Sequence, residues 1–180
     1  MQGYSDFIDR IFLHEGLLEK LTPAEPLSCD LLIRVREADD ATLSGGRAVG
    51  PGKNCALVRG GLLYAIDAID AIDEAHTFFQ DAPGDLGAYW HGMMHRREGD
   101  FENARYWFRR AGALPCFPAL HRAAGEFSTD MARQPGWDPY LLTGDCERAR
   151  FGAEETATSL ARLQRAEFDG IFDYTWRQSG

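Results

Sequence analysis

Apolar residues recur at intervals of three and four along nearly every patterned stretch of this chain. That period belongs to helices buried on one face, and it leaves little room for a sheet. Phe7, Ile8, Ile11 and Phe12 form such a stripe, with Ser5 placed to cap it. In "LSCDLLIRVREADDATL", Leu31, Leu32, Ile33 and Val35 would suit a strand, but the flanking charges favour a helix. The longest patterned run predicts one helix from about Cys55 to Gln80, buried through Leu62, Leu63, Ile66, Ile69 and Ile72. Asp67, Asp70 and Asp73 repeat along it at every third position and read mainly as a solvated edge. Two shorter helices follow, about Leu86–Glu98 and Phe101–Gly112, joined by a tight "EGD" link. "FPALHRAAGEFSTDMARQ", "YLLTGDCERARF" and "TATSLARLQRAEFDGIFDYTW" supply the rest. The expected fold is an all-α bundle or compact array of six or seven helices. With 180 residues and no internal repeat, it forms a single domain over 1–180.

Charge and hydropathy remove several functions. A formal net charge of −9 opposes binding to a polyanion, so no nucleic-acid partner is expected. Apolar runs of a few residues fall far short of the ~20 that cross a bilayer, so no membrane partner is expected either. The start, "MQGYSDFIDRIFLHEG", has acids where a secretory leader would have bases, and the chain reads as cytoplasmic. Cys29, Cys55, Cys116 and Cys146 are scattered without a Cys-x-x-Cys pair and read as reduced, mostly buried side chains.

Two familiar motifs fail on inspection. "SGGRAVGPGKN" is glycine-rich like a phosphate-binding loop. However, five residues separate Gly46 from Gly52, and Asn54 stands where a magnesium-binding Ser or Thr belongs. Asn54 suits better as a cap for the helix that follows. His91 and His95 have the spacing of a zinc hydrolase pair, but Gly92 replaces the glutamate that would follow the first histidine as base.

The segment "YWHGMMHRREGDFENARYWFRRAG" carries the strongest pattern. Gly92, Ala104, Phe108, Ala111 and Pro115 resemble one tetratricopeptide-type helical hairpin spanning residues 88–115. Gly92 and Ala104 would let the two helices approach, and Phe108 would fill the groove between them. The resemblance implies a scaffold for binding other proteins, with no chemistry of its own. His91 and His95 stand where that motif places a large apolar residue and an aromatic one. Both are therefore expected to face inward, where each ring nitrogen needs a partner. The longer string, with "DEAHTFFQD" before it and "LQRAEF" near the end, also resembles a family of uncharacterised, mainly bacterial proteins. Its signature is WHxxxHRREGDxxNAxYWFRR, and it implies a shared helical fold without an activity.

Chemistry concentrates in the same region. His91, His95 and Glu98 share a helix face at i, i+4 and i+7. Asp73 and His76, three apart on the preceding helix, resemble the carboxylate-x-x-His pairs of metal sites in helical bundles. An antiparallel turn through "QDAPGD" would bring His76 to His91. The metal candidates are thus His76, His91 and His95, with Asp73 or Glu98 as carboxylate and a divalent metal ion as cofactor. The competing reading is a set of core histidines hydrogen-bonded to backbone, to Tyr89 or Tyr106, or to Asp73, Glu74 or Glu98. Residues 86–112 hold five arginines against three acids, a local excess in an acidic chain. Tyr89, Arg96, Arg97, Tyr106 and Arg109 are accordingly candidates for the wall of a ligand pocket, unless the arginines pair with Glu98, Asp100 and Glu102. Two functions are expected: a helical binding or scaffold module for a protein or small molecule at a histidine-lined pocket, or a metal-dependent, hydrolytic enzyme.

Overall fold

A computed structural model describes residues 3–23, 25, 30–48, 55–150 and 154–179, with the Glu155 side chain excepted. Among them are eleven helices and no strand: α1 (Asp6–Phe12), α2 (Asp30–Glu37), α3 (Asp40–Ser44), α4 (Ala56–Ala65), α5 (Ile69–Gln80) and α6 (Gly84–Glu98), then α7 (Phe101–Ala111), α8 (Phe117–Gly125), α9 (Thr129–Ala132), α10 (Pro139–Ala149) and α11 (Glu154–Ser179). The all-α expectation holds. Among the described residues no helix is long and apolar enough to cross a membrane. Ser5 caps α1 as expected, its hydroxyl accepting from the Ile8 amide at 3.2 Å. Asn54 lies outside the described residues, as does most of the glycine-rich segment.

The helices are more numerous and shorter than expected because three segments break. In the first, "LSCDLLIRVREADDATL", α2 ends at Glu37 and Asp39 caps α3, accepting from the Thr42 amide at 2.7 Å. The run from Cys55 to Gln80 is not one helix: the chain becomes extended at Ile66 and Ala68. Ile66 pairs antiparallel with Leu17, and the Leu18 amide donates to the Ala65 carbonyl at 3.1 Å. Asp67 explains the break. Its carboxylate is buried and accepts from the amides of Glu19 (2.6 Å) and Lys20 (2.9 Å) and from the Arg97 guanidinium. Tertiary hydrogen bonds to a buried carboxylate thus override a helical pattern that runs unbroken through these residues. Asp67 is therefore no part of a solvated edge, whereas Asp73 is exposed. The segment "FPALHRAAGEFSTDMARQ" divides into α8 and α9 where Ser128 caps a new turn, accepting from the Met131 amide at 3.1 Å.

α6 is the central element, buried at every residue from Gly87 to Arg97. A helix enclosed on all sides must satisfy its polar side chains inside the protein. It packs against α5 and α7, while α11 packs against α4, α8 and α10. Aromatic rings fill the junction: Phe79 stacks on Trp90 at 5.1 Å, and Tyr64 on Phe168 at 5.9 Å. Gly99 ends α6 in the left-handed region (φ 81°). This lets its own amide reach the Arg96 carbonyl and the Asp100 amide reach that of His95. Asp100 then caps α7, accepting from the Asn103 amide at 3.1 Å. The reversal places α7 so close that a Cβ on Gly92 would sit 2.7 Å from the Phe108 ring.

Candidate metal centre

Three rings meet where α5 passes α6. His76 comes from the third turn of α5; His91 and His95 come from successive turns of α6. One ring nitrogen from each lies within 4.8 Å of the others. His76 and His91 face each other through their Nε2 atoms at 2.9 Å. His91 and His95 stack at 4.7 Å between centroids, 17° from parallel, as i,i+4 neighbours on one helix face. Trp107 of α7 covers the other face of His91 at 4.0 Å and 18°. His91 and His95 are 3% and 5% exposed, while the His76 side chain is 32% exposed, so the cluster has a buried floor and an open side.

Glu98 organises the rings from behind. Its Oε2 lies 2.8 Å from Nδ1 of His95, and its Oε1 lies 3.8 Å from Nδ1 of His76. The Nε2 atoms are thereby turned away from the carboxylate. Burial, followed by the charges that His95 and His76 would carry, pushes the His91 pKa down to about 4. His91 is neutral at pH 7, the protonation state a metal ligand needs. Its Nδ1 is buried and has no hydrogen-bond partner. An unmatched lone pair costs less than an unmatched N–H, so the metal-free ring carries its proton on Nε2 and donates to His76.

These distances suit a transition metal. Two imidazole nitrogens bound at ~2.0–2.1 Å to one ion stand roughly 2.9–3.4 Å apart, depending on geometry. The His76–His91 pair meets that spacing already. The nitrogen of His95 lies within 4.8 Å of the other two and its ring is stacked on His91, so three-fold ligation requires that ring to rotate toward the ion. Asp73, by contrast, does not join the group: it is exposed on α5 while His76 turns inward. Glu74 is engaged by Arg36 on another face. Of the other histidines, His121 bonds the Met131 carbonyl at 3.0 Å, and His14 is exposed.

The candidate pocket residues do not converge. Arg96 and Arg97 are fully buried and reach in different directions. Arg96 forks onto Glu167 of α11; Arg97 binds Asp67 and the Tyr64 carbonyl beside the α4–α5 break. Tyr89 joins the first pair, donating to Glu167 at 2.7 Å and accepting from the Trp137 indole at 2.6 Å. Burial, then the Glu167 charge, holds its phenol pKa well above the usual value, so it remains a donor. Tyr106 is exposed beside Trp107, and Arg109 is exposed on α7. The expected pairing of arginines with Glu98, Asp100 and Glu102 is also replaced: Arg105 reaches Glu147 of α10. Local sequence offered no signal for Glu167 or Asp67 as their partners. One cavity of about 540 Å³ is lined by Leu57, Val58, Phe78, Leu86 and Thr175 among others, and by none of the three histidines. Comparisons with protein-family models, with curated proteins and with solved structures find no match for this chain.

Proposed function

We propose that this protein binds a divalent transition-metal ion through His76, His91 and His95, with Glu98 orienting the rings. The convergence of the three rings, with the Nε2 atoms of His76 and His91 at 2.9 Å, carries the reading. The donor set narrows the metal. Three neutral imidazoles suit zinc, cobalt, nickel, copper or iron and suit magnesium or calcium poorly, since those ions take oxygen ligands. A carboxylate on the far nitrogen of a ligating histidine is a recurrent support of such sites. Affinity is moderated by His91. Ligation through Nε2 moves its proton to the buried Nδ1, at a cost of about 1–3 kcal/mol for the unmatched N–H.

A protein-binding role has less support in the geometry. Among the described residues the large exposed apolar side chains are Leu13, Ile33, Tyr106, Phe127 and Tyr140, and no two of them lie on the same helix. The test is calorimetric titration of untagged protein with zinc(II). One equivalent should bind to the wild type, and binding should weaken at least tenfold in His76→Ala, whose partly exposed ring can be removed without opening the core. Equal binding by both proteins, or none by either, would reject the site.

A further inference from the structure

We propose that the loaded centre keeps a fourth coordination position open toward solvent and fills it with a small anion or an anionic group of a substrate. The inference rests on the metal-binding reading above and deepens it in three ways.

The first concerns ligand supply. Among the described residues no fourth histidine, cysteine, aspartate or glutamate joins the group. Cys55, Cys116 and Cys146 lie outside it. Glu98 is the nearest carboxylate, but it is turned to the Nδ1 sides of His95 and His76. The two nitrogens of an imidazole point to opposite sides of the ring, so a carboxylate behind Nδ1 cannot also bind an ion held by Nε2. Closed structural sites present four protein ligands; three ligands and a vacancy characterise sites that exchange a ligand.

The second concerns access. His91 and His95 form the buried floor under Trp107, whereas the His76 side chain is 32% exposed and that of Glu98 21%. A ligand can therefore arrive from the His76 side.

The third concerns charge. A divalent ion among neutral imidazoles keeps both of its charges, and the Glu98 carboxylate offsets one. In a partly desolvated site the remainder favours an anion over a neutral ligand.

Azide is the probe, and cobalt(II) supplies the colour. Wild-type protein loaded with one equivalent of cobalt(II) should show ligand-field bands that change saturably with azide, one azide per metal. The Glu98→Ala variant should bind cobalt about 10–100-fold more weakly, as loss of an orienting carboxylate does elsewhere, yet respond to azide in the same way. An azide response confined to Glu98→Ala would overturn the proposal, because Glu98 would then be the fourth ligand. Silence in the loaded wild type, or azide stripping the cobalt, would overturn it as well. Failure of the wild type to take up cobalt would instead reject the metal site itself, so the two failures are distinguishable.

Discussion

At the scale of single residues, His91 combines the features that make a buried histidine costly. It is enclosed, stacked on one face by Trp107 and on the other by His95, with one nitrogen unmatched. Its pKa falls from 6.5 to about 4 in the folded protein. The unfolded chain therefore binds the extra proton first as pH decreases. The stability this neutral ring supports is complete above about pH 6.5 and is lost progressively down to about pH 4. Metal-free protein should lose on the order of 1–3 kcal/mol from this ring between pH 7 and 4.5. Urea unfolding at both values checks it, with His91→Phe as the comparison. That variant should retain more of its pH 7 stability at pH 4.5, and an identical fractional loss in both proteins would contradict the assignment. That His91 and His95 share one face was legible from spacing; that this face points inward was expected only from their positions in the tetratricopeptide-like pattern. The side on which Glu98 meets the rings was not legible, because it depends on rotamers that packing against α5 selects.

At the scale of elements, the α6–α7 hairpin depends on how closely its two helices approach. Gly92 makes that approach possible. Its missing Cβ is replaced by the Phe108 ring, which in turn supports Tyr89 at 5.0 Å between centroids. Gly92→Ala should cost about 1–3 kcal/mol by overpacking, readable as a lower Tm, and should displace Trp107 relative to His91. A Tm within a degree of wild type would show that Phe108 yields freely. The packing of Phe108 against Gly92 was readable because both lie in one short, locally closed segment. The α4–α5 break was not. Apolar spacing continues through Ile66 and Ile69, and what interrupts the helix is Asp67 engaging Glu19, Lys20 and Arg97, all distant in sequence.

For the whole molecule, two adjacent arginines tie the central helix to two different elements. Arg97 fixes it to the α4–α5 break, and Arg96 fixes it to α11 through Glu167, both partners being fully buried. A buried ion pair contributes little relative to an apolar replacement, but removing one member strands the other. Glu167→Ala leaves the Arg96 guanidinium uncompensated and the Tyr89 hydroxyl without its acceptor. It should therefore cost about 3–5 kcal/mol in chemical denaturation, more than truncating an exposed partner such as Asp173 beside Arg177. Comparable losses in the two variants would show that water reaches the buried pair. Helical class and candidate histidines follow from local periodicity, whereas these braces join residues whose pairing no local pattern encodes.

The separations along the chain also imply an order of events during folding. His76 and His91 are 15 positions apart, and His95 and Glu98 only three, so neighbouring helices alone can assemble the histidine cluster. The braces around it close much longer loops: 30 positions from Asp67 to Arg97, 71 from Arg96 to Glu167 and 85 from Trp90 to Thr175. Short loops close at lower entropic cost and sooner. On a ribosome, the histidine cluster would emerge and draw together while α11 was still unsynthesised, so a metal ion could reach the nascent chain before the last helix arrives to lock α6 in place.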